Sequence, residues 1–390
     1  MAVPLLFGDT QRSAALRHEV PVAIIDPLMW AEPDGGPVIL TSRLERERIA
    51  AALPQAQILD YFDFGMRELR ERGLTYAAAE REVAVRALRH LGVAEVVVPG
   101  EFPLALADRL RAEGIAVTPD DEVFQMRRRA KSPRELEGIR LAQRAAERGM
   151  AAAAELLAAA EPGPDGDLHL DGERLTAERV RAAIRAACAR AGAPAPAVVM
   201  VASVRDGFGH EPGSGPLPAG LPIQVDLFPC HEESGCWADM TRTFVVGPPA
   251  GEAAGLIERQ RELVRAALED ARAAIRPGVT GRELYDAACE RFEAAGFRTQ
   301  RTGPGEDPSE GFQFALGHGV GLEVHEEPSL GLGGVQALVP GDVLAIEPGL
   351  WDRRIGGVRY EDLVLVTEDG GETLTDFPYD LSPAAAGSAG

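Results

Sequence analysis

The rhythm of apolar positions changes partway along the chain. Up to about residue 125, short apolar runs bounded by glycine and proline ("PVAIIDP", "GPVILTS", "AEVVVPG") alternate with "LERERIAAAL" and "EREVAVRALRHLG", whose apolar residues recur at helical spacing. This alternation predicts an α/β domain. "RRRAKSPRE" then marks a hinge, after which Ser132 and Glu135 form a capping box with Pro133 at the first helical position. The predicted helix runs through "LAQRAAERGMAAAAELLAAAE" and stops at Pro162. The expected division is an N-terminal α/β domain over 1–128, a second domain over 129–381 and a small, polar, mobile tail over 382–390.

In the second part, helices alternate with paired strands. Helical spacing covers "GERLTAERVRAAIRAACARAG", "EAAGLIERQRELVRAALEDARAAI" and "TGRELYDAACERFEAAG", the last opening on a capping box of Thr280 and Glu283. "PIQVDLF", "ADMTRTFVVG", "DVLAIEPG" and "GVRYEDLVLVT" read as strands. The pattern is α+β.

Composition narrows the function. The 390 residues carry a net charge of −21, which repels phosphate backbones and argues against nucleic-acid binding. No apolar run reaches the ~18 residues of a membrane span. The N-terminus lacks the basic and apolar regions of a signal peptide, so a cytoplasmic protein is expected. The four cysteines form no disulfide framework. "CHEESGC", Cys230 to Cys236, has the wrong spacing for a structural zinc site and reads as ordinary thiols. Lys131 is the sole lysine, which excludes a P-loop, and its polar surroundings make it a poor Schiff-base amine.

The chemistry concentrates late in the chain. "GHGVGLEVHEEPSLG" sets His318 and His325 seven positions apart in a stretch too glycine-rich for a helix, so both can be aimed into one cleft. Four acids stand beside strands expected to be buried: Asp226 after "IQV", Asp239 before "MTRTF", Glu347 after "VLAI" and Glu361 in "GVRYED". A buried charge is costly unless it is paired or bound to metal. Strand alternation puts Asp239, Thr241 and Thr243 on one face, so Thr241 can hydrogen-bond a ligand from behind. Arg359 shares a face with Glu361 and would offset and orient carboxylate charge, while Asp362 points the other way. Such an oxygen-rich set suits two divalent cations, Mn²⁺ before Co²⁺ or Zn²⁺.

With these motifs in hand, the chain resembles the metallopeptidases that include methionine aminopeptidase, Xaa-Pro aminopeptidase and prolidase, which share the pita-bread fold. "DMTRTF", "GHGVGLEVHEEP", "IEPG" and "GVRYED" occur in that family's order, and "KSPRELEGIRLAQRAAERGM" looks like the helix opening the catalytic domain of its proline-specific members. The resemblance implies a creatinase- and prolidase-like N-terminal α/β domain followed by a pita-bread α+β catalytic domain. Carried over by position, the metal ligands would be Asp226, Asp239, His318, Glu347 and Glu361. His325 and His210 would contact substrate and stabilise the tetrahedral intermediate, and Glu347 would also shuttle a proton.

Two departures stand out. "LFPCHEESGCWA" makes the interval between Asp226 and Asp239 longer than is common, which predicts a longer hairpin loop. Phe314 occupies a position often held by histidine, where it either walls the proline pocket or fills core. The implied activity is hydrolysis of Xaa-Pro bonds by a homodimeric dipeptidase, with Arg353 and Arg354 holding the free carboxylate of a dipeptide. The alternatives are an aminopeptidase acting on longer Xaa-Pro peptides and a non-catalytic pita-bread binding protein. A metal-free enzyme of the creatinase type is disfavoured, because all five ligand positions hold competent ligands.

Overall fold

The computed structural model describes residues 2–207, 211–303, 305, 307 and 309–386. It divides into two compact units, Met1–Arg128 and Arg129–Gly390. The four last residues of the expected tail, 387–390, lie outside the described residues, and Pro383–Ala386 forms a single helical turn.

The first unit is a six-stranded mixed sheet. Val3–Gly8 is central, antiparallel to Leu28–Ala31 and parallel to Glu95–Val98, with Val38–Thr41 and Gln57–Asp60 beyond on one side and Ala116–Pro119 on the other. Successive side chains of a strand face opposite ways. Leu5 therefore packs into a core with Val83, Leu88 and Leu106, while Leu6 packs into another with Leu16, Trp30 and Ile49. "PVAIIDP" is not a strand; the strand begins only at Leu28. Thr10 takes the place of a ladder there. Its hydroxyl donates to Val22 O at 2.6 Å and accepts from the Ile24 amide at 2.8 Å, so these backbone groups are satisfied without a neighbouring strand.

The second unit opens on the helix Pro133–Ala158, with the Ser132–Glu135 capping box formed, as is the Thr280–Glu283 box of the helix Gly281–Ala294. The helix Ala177–Arg190 starts later than its apolar spacing predicts, because Leu168–Leu170 and Glu173–Arg174 pair as short strands and Thr176 supplies the cap. Pro222–Leu227 lies between Met200–Ser203 and Met240–Val245 in an antiparallel sheet. A five-stranded antiparallel sheet runs in the order Glu326–Leu330, Gly317–Gly319, Val343–Ile346, Asp362–Val366, Gly371–Thr373. Its apolar face, with Leu344, Ile346 and Val364, closes over Val264, Leu268, Leu284 and Phe292 of the helices Ala253–Ala274 and Gly281–Ala294.

"GVRYEDLVLVT" divides in two. Gly356–Arg359 pairs with Gly349–Asp352 in a hairpin, and Asp362–Val366 joins the five-stranded sheet. Between them the Glu361 amide donates to Thr241 O at 3.1 Å, and Glu361 O accepts from Arg242 Nη1 at 2.7 Å. These bonds replace the ladder and let the chain change sheets. Arg242 is almost fully buried, and its Nη2 donates to Asp362 Oδ1 at 3.0 Å and to Phe377 O at 2.9 Å. Asp362 keeps Arg272 Nη1 at 3.1 Å and the Tyr379 hydroxyl. Arg242→Met nevertheless takes the arginine's hydrogen bonds from the buried Glu361 and Phe377 carbonyls, so it should cost about 1–3 kcal/mol in denaturant unfolding of the metal-free protein. A loss below about 1 kcal/mol would show that Arg242 does not hold this crossing.

Candidate metal centre

Strand pairing assembles the site. Asp226 stands opposite Thr241, and Asp239 directly precedes Met240–Val245, so the two aspartates emerge from adjacent strands. His318 is the middle residue of Gly317–Gly319 and pairs with Ala345. A Cβ on Gly317 would stand 1.9 Å from Ala345 O, so only glycine permits this approach of the two strands. The Glu347 amide donates to Leu316 O at 2.8 Å, which continues the pairing by one residue and turns Glu347 towards His318. Glu361 arrives on the segment where the chain changes sheets.

These side chains meet. Ligand atoms of Asp226, Asp239 and Glu361 lie within 4.8 Å of one another, as do those of His318, Glu347 and Glu361 and those of Asp239, His318 and His325. His318 Nε2 is 3.8 Å from Asp239 Oδ2 and 3.7 Å from Glu347 Oε1. His318 Nδ1 lies 3.1 Å from Gly319 O, which places the proton on Nδ1 and leaves Nε2 as the free lone pair. The rings of His318 and His325 stand edge to face with centroids 4.3 Å apart.

The electrostatics are severe. Burial, followed by repulsion from Glu361, Asp226 and Glu347, holds Asp239 well above the usual carboxylate range. Burial, then Glu347 and Asp226, does the same to Glu361. Burial works to lower the pKa of Arg359, but its carboxylate neighbours overcome this and raise it. His318 is lowered chiefly by burial, which keeps the ring neutral and able to bind a metal. His325 opens to solvent, yet the surrounding protein desolvates it enough to lower its pKa, with His318 adding to the effect.

Arg359 is the cation facing the cluster. Its Nη2 donates to Asp226 Oδ2 and its Nη1 lies 3.4 Å from Glu347 Oε2. Thr241 Oγ1 donates to Glu361 Oε2 at 2.7 Å and accepts from Arg359 Nε at 3.3 Å, while Thr243 Oγ1 donates to Arg359 O at 3.0 Å. Asp362 is turned away towards Arg242. Asp226 Oδ1 remains buried with no hydrogen-bond partner among the described residues. Buried carboxylate oxygens are rarely left so, and a bound cation would satisfy this one.

The remaining candidates are more dispersed. Phe314 is half-buried, edge to face with Phe312 and Trp351 and 6.0 Å from the Arg359 guanidinium. Arg354 is exposed and bonds Asp352 at 2.9 Å, and Arg353 is exposed with Nε 3.6 Å from Glu310. His210 lies outside the described residues; just before it, Gly207 O accepts from Trp351 Nε1 at 3.3 Å. In "CHEESGC", Cys230 and Trp237 form a bridge across the longer loop, and His231 Nδ1 bonds Ser234 Oγ at 2.9 Å. Among the described residues, no metal-competent group includes these cysteines or His231.

One expectation needs correction. The polar run around Lys131 suggested a solvated amine, but its side chain is only 2% exposed and its ammonium bonds Glu326, the neighbour of His325. No local signal pointed to this, because the partner lies 195 residues further along the chain.

The chain is similar to known metallopeptidases. Residues 137–368 match the model of metallopeptidase family M24. A probable dipeptidase PepE from Mycobacterium tuberculosis is 32% identical over 286 residues, covering 73% of this chain and 68% of that protein. An Xaa-Pro dipeptidase from Pyrococcus furiosus is 38% identical over 147 residues, 37% of each chain. The solved prolidase of Pyrococcus horikoshii superposes with a TM-score of 0.74 at 23% identity over 98% of this chain and 95% of that one. An X-Pro aminopeptidase from Thermotoga maritima gives 0.75 at 21%, over 97% of both chains. At that identity the structures speak for the fold, an α/β domain followed by a pita-bread domain. With the family's model spanning more than half the sequence over the segment that carries the clustered acids and histidines, the chain belongs to metallopeptidase family M24.

Proposed function

We propose that this protein is a dinuclear metal-dependent peptidase that hydrolyses Xaa-Pro bonds, acting as an Xaa-Pro dipeptidase. The observation that carries the reading is the convergence of the buried Asp226, Asp239 and Glu361 with the half-buried Glu347 and His318, with one aspartate oxygen left unsatisfied. Four carboxylates against one arginine fit two divalent cations, and an oxygen-rich donor set with a single imidazole favours Mn²⁺. When bound, the cations supply an acidified water and polarise the scissile carbonyl.

The chain's own residues complete the chemistry. Glu347 suits a proton carrier because it is the most open of the three acids compared: 16% of its side chain is exposed, against 6% for Asp239 and 7% for Asp226. It takes the proton from the attacking water and delivers it to the proline nitrogen. His325, open to solvent beside His318, donates to the oxygen that becomes negative as the carbonyl is attacked, and His210 is its counterpart. Arg359 and Thr241 hold Asp226 and Glu361 in place. Phe314, packed on Arg359 and Trp351, offers an apolar wall to the proline ring. Arg354 bonds Asp352 at 2.9 Å, whereas Arg353 lies 3.6 Å from Glu310, beyond hydrogen-bond distance, so capture of a dipeptide's carboxylate rests on Arg353. The four cysteines are all free, in keeping with a reducing cytoplasm.

Repulsion within the site gives a test that needs no turnover. Asp239→Asn or Glu361→Gln removes one strained charge, so each should raise the melting temperature of the metal-free protein by roughly 2–6 °C. Each should also abolish the further rise that Mn²⁺ gives the wild type. A lowered metal-free melting temperature together with an intact Mn²⁺ response would exclude both residues as ligands.

Substrate preference is tested by comparing Ala-Pro, Ala-Pro-Ala and Ala-Ala with added Mn²⁺, Co²⁺ or Zn²⁺. Ala-Pro should be cleaved best and Ala-Ala hardly at all, and Arg353→Ala should erode the advantage of Ala-Pro over Ala-Pro-Ala. Comparable kcat/KM for the two proline peptides would instead support an aminopeptidase of longer peptides. In the same panel Phe314→Ala should lower kcat/KM for Ala-Pro at unchanged metal content. A stability loss of ~3–5 kcal/mol with unchanged kcat/KM would make Phe314 a core residue only.

A further inference from the structure

Lys131 is the one lysine in a chain whose other basic side chains are arginine. It lies between the helices Asp121–Arg129 and Pro133–Ala158, far in sequence from the acids and histidines of the metal centre. Its side chain and that of Glu326 are each 2% exposed, and the two are in direct contact. Glu326 directly follows His325 and pairs across the sheet with Gly319, the neighbour of His318. His325 lies in the bend that leads into the strand Glu326–Leu330, and Glu326 is the first residue of that strand. His325 faces the carboxylates, and Glu326 faces back into the protein, onto Lys131.

Gly321 packs closely on the pair. A Cβ at Gly321 would stand 2.4 Å from Glu326 Oε1 and 2.8 Å from Lys131 Nζ. Gly321 O accepts from the Trp237 amide at 2.8 Å, which fixes that side of the pocket. Cys236 borders it as well: burial pushes its thiol up to about 12, with Glu135 adding to the rise and Lys131 opposing it. A compact point charge suits such a space, whereas a planar guanidinium needs a wider slot.

We propose that Lys131 is a positioning residue for the reaction. Its ammonium, locked onto Glu326, fixes the start of the strand directly after His325 and thereby sets where that imidazole stands relative to His318 and the carboxylates. The inference rests on the reading above that His325 touches substrate. Groups that orient reacting side chains from behind commonly contribute tenfold to hundredfold in activity. A tether of this kind also keeps Glu326 from adding another buried, unpaired carboxylate next to an already acidic site.

The test is a double-mutant cycle in the Mn²⁺-loaded enzyme, combining Lys131→Met with His325→Ala. With His325 present, Lys131→Met should lower kcat for Ala-Pro by about tenfold to hundredfold, with KM and metal content little changed. In the His325→Ala background it should cost less than about twofold more. The pair replacement Lys131→Met/Glu326→Gln removes both charges and should restore melting temperature without restoring kcat. It also carries the test if Lys131→Met alone does not fold. In the metal-free protein, the imidazole NMR signal of His325, identified by its loss in His325→Ala, should move in the pair variant while that of His169 stays. Equal losses in both backgrounds, or a fall in kcat matched by a fall in bound metal, would overturn the proposal. If His325→Ala alone leaves kcat within two- to threefold of wild type, the role given to His325 fails instead.

Discussion

Mutual repulsion among buried carboxylates is the constraint around which the second unit is built. Asp226, Asp239 and Glu361 are brought together where water can hardly screen them, with Glu347 half-buried beside them, and burial is the largest cause of the raised pKa of both Asp239 and Glu361. A fold does not reach such a state through local preference. It needs strands whose pairing leaves the acids no other place to go, and enough apolar packing elsewhere to offset the cost. The sheet closed by Leu344, Ile346 and Val364 against two long helices supplies that packing.

Three cations divide the restraint. Arg359 faces the cluster and bonds Asp226 directly. Arg242 lies behind Glu361, holding its carbonyl and the neighbouring Asp362. Lys131 stands behind the histidine segment and draws Glu326 away from the acids. The first meets carboxylates that would bind metal, the second fixes backbone and the third orients a side chain. Each acts on a different element, so the site is held from several directions.

Much of this was legible in the sequence because it follows from short-range rules. Ser132 with Glu135 and Thr280 with Glu283 cap the helices they were expected to cap. Thr241, which strand alternation placed on the face of Asp239, donates to Glu361. What escaped depended on distant partners. "PVAIIDP" has a strand's composition, but Thr10 satisfies its backbone, and nothing within the run reveals that. "GVRYEDLVLVT" reads as one strand because the bonds that split it come from Thr241 and Arg242, more than a hundred residues earlier. Lys131 looked solvated for the same reason, its partner Glu326 being remote in sequence.

The unsatisfied oxygen of Asp226 and the crowded acids around it are the features that bound cations would relieve. The most direct measurement is the metal content of the wild-type protein, loaded with Mn²⁺ and freed of excess by dialysis. Two ions per chain, with melting temperature rising over the metal-free protein by an amount that grows with Mn²⁺ concentration, is the predicted result. Fewer than one ion per chain with an unchanged melting temperature would contradict the assignment of this cluster as a dinuclear centre.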